Sequence, residues 1–207
     1  KGEKEQSEAI NPPLTFQLKN IDPDHGFFKE RGILPATIEH FGLGYCSKGM
    51  MKDRIVIPIH DHQGQLVAYC GRAVNDDQVE KEGKYKLPPN FVKSEVVYNL
   101  HHQKDPDRLI LVESFLSVFQ LHQNDVENMV ALMGSSMSEQ QEELIVNTLG
   151  INGKVILLFD GDEDGQKCTR DCLIRLSKKL FLKAVDIAPY AKKPHRLDPE
   201  AMKKLLS

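Results

Sequence analysis

Long hydrophobic runs are missing from this 207-residue chain. No apolar stretch approaches the roughly 20 residues that a membrane-spanning helix needs, which excludes a helical membrane protein. The opening "KGEKEQSEAINPP" is polar and charged, unlike a signal peptide, and residues 1–15 read as a linker or the cut edge of a longer protein. Cysteine is scarce. Cys46, Cys70, Cys168 and Cys172 do not fall at zinc-site spacing, and the last two lie four apart in an expected helix. They read as buried free thiols of a protein in the reducing cytoplasm. An excess of one charge is also lacking: the formal net charge is −3, which exerts no global pull towards nucleic acid. A basic groove balanced by acids elsewhere would leave that sum unchanged. Internal repeats and low-complexity tracts are absent. The chain is 40% hydrophobic and 28% charged, the composition of an ordinary globular protein.

The chain has two textures. From Phe16 to about residue 104 the segments are short and mixed, as in a small α+β subdomain. "DPDHGFFKERGILPATIEHFGLGYC" predicts short helices over Phe27 to Arg31 and Pro35 to Phe41, the second with proline in its first turn. "DRIVIPIHDHQGQLVAYCGRAV" predicts a hairpin: Ile55, Ile57 and Ile59 alternate before a "DHQG" turn, and Leu66 to Val74 return. "KYKLPPNFVKSEVVYNL" follows as an irregular basic stretch. From residue 105 to the end, strands alternate with helices. "RLILVE", "NMVALMG", "KVILLFD" and "LKAVDIAP" are the strands. "SFLSVFQLHQN", "SEQQEELIVNTLG" and "EDGQKCTRDCLIRLSKKL" are the helices, the second opened by a Ser138 cap and closed by Gly150. Near-continuous apolar strands joined by helices imply an α/β domain with a parallel sheet covered on both faces. The C-terminal strand ends then share one edge, where ligands of such folds bind.

Carboxylates gather at that edge. Glu113 closes the first strand of this half; Asp160 and Asp162 close the third, with Gly161 between them to turn the backbone. Three acids from two strand ends repel one another unless a cation joins them. Hard oxygen ligands suit Mg²⁺ or Mn²⁺. Glu163 and Asp164 need no such role, because acids favour a helix N-terminus through its dipole. "DGDEDG" also resembles part of a calcium loop, but an EF-hand has a helix on both sides, and here a strand precedes. The paired histidines His101/His102 and His60/His62 read as loop or strand-end residues rather than ligands. Met50, Met51, Met129 and Met133 read as packing residues.

A Glu closing the first strand and Asp-x-Asp closing the third resembles the TOPRIM domain of DnaG-type primases, topoisomerases and some nucleases. "LILVESFLSVFQL", "ALMGSSMSEQQEELI" and "LLFDGDEDGQKC" resemble successive primase motifs, and the likeness extends upstream. "ERGILPATIEHFGLGYC", "DRIVIPIHDHQGQLVAYCGRAV" and "KYKLPPNFVKSEVVYNL" resemble the start of the primase catalytic core in the same order. The resemblance implies metal-dependent RNA primer synthesis from nucleoside triphosphates on single-stranded DNA. Glu113, Asp160 and Asp162 would be the catalytic metal ligands. Arg54, Arg72, Lys84 and Lys93 match basic family positions that contact template and nucleotide, and Lys86 adds to that cluster. A replicative helicase and an upstream zinc-binding module are the implied partners.

The chain departs from the family pattern at three places. Ser114 replaces a glycine after the Glu, and Ser117 stands where the next helix usually carries an Asp. Where the family adds a late acidic pair, "KKPHRLDPEAM" offers either Asp198, a further metal ligand, or His195. Fewer carboxylates imply weaker binding of a second metal. Two other functions use the same residues: a TOPRIM nuclease that hydrolyses phosphodiesters, and a nucleic-acid-binding module with weak turnover.

Overall fold

In a computed structural model describing residues 10–103, 106–150 and 152–206, the upstream segments form one antiparallel sheet. Its strands are β1 (Gly44–Cys46), β2 (Arg54–His60), β3 (Leu66–Ala73) and β4 (Tyr85–Lys86), in chain order. β2 and β3 are the expected hairpin. Asp61 Oδ1 accepts from the Gln63 and Gln65 backbone N–H groups to close its turn. Ile55, Ile57 and Ile59 face the main core, as their alternation requires. Val56 points the other way and is buried too, in a small cluster that Leu14, Leu18 and Ile21 pack against. Leu14 of the expected linker thus lies against this sheet, where its N–H donates to the Leu66 carbonyl at 2.7 Å. Residues 1–9 of that linker lie outside the described residues.

Helices α1 (Gly26–Glu30) and α2 (Pro35–Phe41) come where expected, α2 closed by Gly42 in the left-handed conformation. A third helix, α3 (Asp76–Glu82), was not expected. None of its residues is buried, so no apolar stripe marks it; the Asn75 side chain starts it by accepting from the Gln78 N–H.

The second sheet has β5 (Arg108–Val112), β6 (Met129–Ala131), β7 (Lys154–Leu157) and β8 (Phe181–Ala184), all parallel in the order β6-β5-β7-β8. Helices α4 (Phe115–His122), α5 (Glu139–Leu149), α6 (Glu163–Leu176) and α7 (Pro199–Leu206) cover it. The two-residue period divides each strand between two cores. Ile110 and Val112 pack with α4, α7 and the first sheet, while Leu109 and Leu111 pack with α5 and α6. Helices therefore cover both faces, as the apolar strands implied. Ser138 and Gln141 form a capping box at the start of α5, and Gly150 ends it. The last helix, α7, adds to the expected set. Strand order makes the chain leave β5 towards β6 and then cross back to β7, so a crevice opens at the C-terminal ends of β5 and β7.

The two sheets are welded together. Tyr98 exchanges both backbone hydrogen bonds with Ala131, and its ring packs on Phe115 inside the shared core. Among the described residues no helix is long and apolar enough to cross a membrane.

Near this joint the histidines form a row. Ring centroids are 4.6 Å apart for His60–His101, 3.9 Å for His101–His102, 5.1 Å for His102–His40 and 4.2 Å for His40–His122. Burial pushes His101 down to about 4, with His102 and His60 adding repulsion and Asp61 opposing it. Burial also lowers His60, His102 and His122, against the opposing charges of Asp61 on His60 and Asp125 on His122. These imidazoles take up protons in the unfolded chain before they do so in the fold. Their stabilising contribution is complete above the ordinary value of 6.5 and is lost as pH falls from there towards 4. Melting temperature is expected to drop over that interval in the native chain and to drop less in His101→Gln. Equal slopes for the two would contradict this assignment.

Candidate functional site

The crevice holds Glu113 from the end of β5, and Asp160 and Asp162 from the end of β7. Glu113 Oε1 accepts a hydrogen bond from the Asp160 backbone N–H at 3.0 Å, so the two strand ends meet directly. Asp160 is only 7% exposed, and its Oδ1 has no hydrogen-bond partner. Asp162 is the N-cap of α6, where its Oδ1 accepts from the Gly165 N–H at 3.1 Å. Glu163 and Asp164 lie in the first turn of α6, where the helix dipole favours them. Glu113 is pushed up to about 7, chiefly by burial; the Asp160 N–H opposes this, and the charges of Asp160 and Asp162 add to it. The carboxylates thus feel one another across the crevice.

Glycine has a different task here from the one expected. Gly161 is not in a left-handed conformation. A β-carbon on it would come within 3.1 Å of Ala188 Cα and the Ala191 carbonyl oxygen. The glycine lets the 188–191 loop close over the strand end, where its N–H donates to the Lys192 carbonyl.

That loop delivers a residue the sequence did not single out. Lys193 Nζ contacts Asp160 Oδ2 and lies 4.0 Å from Asp162 Oδ2. Burial lowers its basicity, but the Asp160 hydrogen bond and the charges of Asp160, Asp162 and Glu113 win, leaving Lys193 above its ordinary value. A cleft of about 240 Å³ opens beside these groups, lined in part by Lys84, Tyr85, Glu113, Met133, Asp160 and His195. Three buried polar atoms along it lack partners: Asp160 Oδ1, the Tyr85 hydroxyl and His195 Nδ1. Burial and the cations Arg196, Lys193, Lys84 and Arg31 push His195 down to about 4, so it is neutral at physiological pH.

The departures from the family pattern explain one another. Ser114 caps α4, and its Oγ lies 3.0 Å from the Oγ of fully buried Ser117. The two hydroxyls satisfy each other, where a carboxylate at residue 117 would need other partners. Asp198, expected as a further metal ligand, instead accepts from the Glu200 and Ala201 N–H groups at the start of α7 and does not line the cleft. His195 is the one that does.

The expected basic contacts divide. Lys84 lines the cleft, with burial and the cations Arg72 and Lys193 holding it below its ordinary value. Lys93 Nζ donates to the Met133 carbonyl, bracing the turn after β6 that forms one wall. Arg72 is buried, its guanidinium over the Phe27 and Tyr85 rings. Arg54 corrects the expectation. It is fully buried and donates to the Gly71 and Gly83 carbonyls and to Glu82, so it braces the first sheet and is closed to a nucleic-acid strand. The exposed Lys86 lies on β4, outside the cleft lining.

Among the described residues, no three His, Cys, Asp or Glu side chains form a ready-made cage for a metal ion. A divalent cation nevertheless fits. The donors are hard carboxylate oxygens, one buried oxygen of Asp160 has no partner, and an ammonium already rests on the other. An ion that keeps most of its waters needs few protein ligands.

Known proteins resemble this chain in sequence and fold. Residues 110–198 match the Toprim-like family, and residues 49–104 match the N-terminal domain of the DNA primase catalytic core. The DNA primase of Aquifex aeolicus is 30% identical over 156 residues, 70% of this chain and 30% of that protein. The Clostridium acetobutylicum DNA primase is 26% identical over 196 residues, covering 74% of this chain and 32% of its own. The chain spans under a third of these curated relatives. Among solved structures, the Aquifex aeolicus primase, comprising zinc-binding and RNA polymerase domains, superposes with a TM-score of 0.73 at 25% identity, covering 87% of this chain and 53% of that one. A DnaG primase catalytic domain bound to single-stranded DNA shares the fold, with a TM-score of 0.70 at 19% identity over 89% of this chain and 70% of its own.

Proposed function

Because the chain joins a primase-core N-terminal domain to a Toprim-like domain, the make-up of a DnaG-type primase catalytic core, we propose that it polymerises ribonucleotides on single-stranded DNA. The observation that carries this reading is the meeting of Glu113 and Asp160 at the crevice, directly beside the cleft that Lys84 and Tyr85 line. In this reading Glu113, Asp160 and Asp162 hold Mg²⁺ or Mn²⁺. When bound, the ion offsets the charge of the triphosphate, the attacking 3′-oxygen and the leaving pyrophosphate. Lys84 binds phosphate at the opposite wall, and Lys93 keeps the Met133–Gly134 turn in place. Leu87, Phe115 and Leu116 thin out water beside the acids. The same reading includes a replicative helicase and an upstream zinc-binding module, such as the Aquifex relative has, as partners. It places the work in the cytoplasm, which suits four buried cysteines that form no disulfide.

A second reading, a nucleic-acid-binding module with little turnover, is favoured by the cation already resting on Asp160. One assay separates them: labelled ribonucleotides, a primed single-stranded DNA and Mg²⁺ or Mn²⁺, with the native chain and Asp160→Asn. Metal-dependent extension lost in the variant supports polymerisation. Shortened DNA would indicate a nuclease, and binding without either product the weak module. The preformed primer matters because initiation can depend on other domains.

The basic residues make separable predictions. Lys84→Ala is expected to weaken single-stranded DNA binding and reduce its logarithmic salt slope by about 0.7, one phosphate contact, without changing the melting temperature. Arg54→Met should leave that slope unchanged but cost about 1–3 kcal/mol of stability, since three acceptors lose their donor. Fluorescence anisotropy at several salt concentrations and thermal melting measure both. A reversed pattern would return Arg54 to the binding surface.

A further inference from the structure

Lys193 is not a wandering surface lysine. On one side of it the Lys192 carbonyl accepts from the Gly161 N–H at 2.8 Å; on the other, Pro194 is buried and opens a 3₁₀ turn, Pro194–Arg196. Its backbone is therefore anchored next to the strand end that carries Asp160. The side chain reaches Asp160 Oδ2 and comes within 4.0 Å of Asp162 Oδ2, spanning the two aspartates. Those two carboxylates and Glu113 together would otherwise crowd like charges into one crevice. The lysine side chain is 39% exposed whereas that of Asp160 is 7% exposed, so the ammonium can leave towards solvent and the carboxylate cannot.

We propose that Lys193 is a built-in counter-cation that occupies the Asp160–Asp162 position whenever no divalent ion is bound, and that a metal enters only by displacing it. The proposal rests on the reading of Glu113, Asp160 and Asp162 as the cation site. The physics is competition for the same oxygens: an ammonium and a hydrated divalent ion cannot both lie against Asp160 Oδ2. If the ammonium is seated in about nine of ten molecules, the apparent metal affinity falls about tenfold below that of an unblocked site. His195 does not substitute for the lysine, because burial and the neighbouring cations keep it neutral, so it offers no positive charge to offset the repulsion of the acids. Lys84, across the cleft, feels the charge of Asp160 but forms no ion pair with either aspartate. Lys193 thus sets the metal concentration at which the site fills.

Two measurements test this, and neither reads catalysis. Calorimetric titration with Mn²⁺ should show Lys193→Met binding about tenfold more tightly than the native chain, with Asp160→Asn abolishing the signal. Equal or weaker binding by a folded Lys193→Met protein overturns the proposal. The second measurement needs no variant. Lysines of the native chain are acetylated briefly with and without Mn²⁺ and quantified by mass spectrometry. Labelling of Lys193 should rise several-fold when Mn²⁺ is present, while the exposed Lys178, just beyond the C-terminal end of α6, serves as reference. Unchanged or reduced labelling of Lys193 at saturating Mn²⁺ overturns the proposal even if the variant fails to fold. A chain that shows this competition but extends no primer would refute polymerisation and leave the lysine's role standing.

Discussion

Asp160→Asn is expected to lower metal-dependent primer extension by a factor on the order of 10²–10³ or more, the scale seen when one preorganised electrostatic group is removed from a reacting centre. The amide is nearly isosteric with the carboxylate and can still accept from Lys193, so packing at this almost buried position is kept. What disappears is one full negative charge from the donor set. Two opposing effects on stability accompany it. The ion pair with Lys193 is weakened, but the repulsion of Asp160 on Glu113, one of the causes that pushes Glu113 up to about 7, is removed. Their partial cancellation leaves the melting temperature within a few degrees of the native chain, as partly exposed ion pairs contribute about 1 kcal/mol or less. Single-turnover extension and Mn²⁺ calorimetry on the same preparation measure the effect. A variant that folds, binds metal and extends primers within a few-fold of native would remove Asp160 from the proposed chemistry.

Gly165→Ala is expected to be destabilising, against the usual preference of helices. Gly165 lies inside α6, where alanine is ordinarily better than glycine by about 1 kcal/mol. A β-carbon there, however, would stand 2.0 Å from the Asp160 carbonyl oxygen and 2.7 Å from its carbonyl carbon. The obstacle is backbone of the strand end, not the tip of a flexible side chain, so the helix must slide away. Overpacking of this kind costs typically 1–3 kcal/mol and occasionally more, which outweighs the propensity gain. For a chain of this size each 1 kcal/mol moves the melting temperature by roughly 2–4 °C. The same slide moves Asp162, the cap of α6, relative to Glu113, and a displacement of about 1 Å at a reacting centre can cost about 10²-fold in rate. A rise in melting temperature would show that the close approach of α6 to β7 is absent in solution.

Much of this architecture could be read along the chain because its signals are local. Apolar runs such as "LILV" and "VILLF", separated by helix-length segments with caps at Ser138 and Gly150, are enough to require a parallel sheet covered on both faces. An acid directly after each of two such runs must then lie at one edge, and Glu113 and Asp160 do. Signals failed where an element lacks a pattern of its own. α3 buries nothing, so its sequence has no stripe to detect. Arg54 and Lys84 are both basic residues in matching motifs, yet one is buried and the other lines the cleft. No sequence period distinguishes them, because burial depends on which strand lies opposite. Ser114 and Ser117 look like two separate losses in sequence and form one hydrogen-bonded pair in space.

The sequence by itself determined the central hairpin, the strands and helices that alternate from β5 to β8, the faces they bury and the edge at which the acids collect, because periodicity and capping act over a few residues. Only the tertiary structure decided what stands against those acids. Lys193 is 33 residues from Asp160 along the chain. It arrives through a loop that follows β8, and the glycine at residue 161 allows that loop close enough for the lysine to reach the site. Long-range placement of this kind depends on loop closure and steric fit, which leave no local periodicity to read.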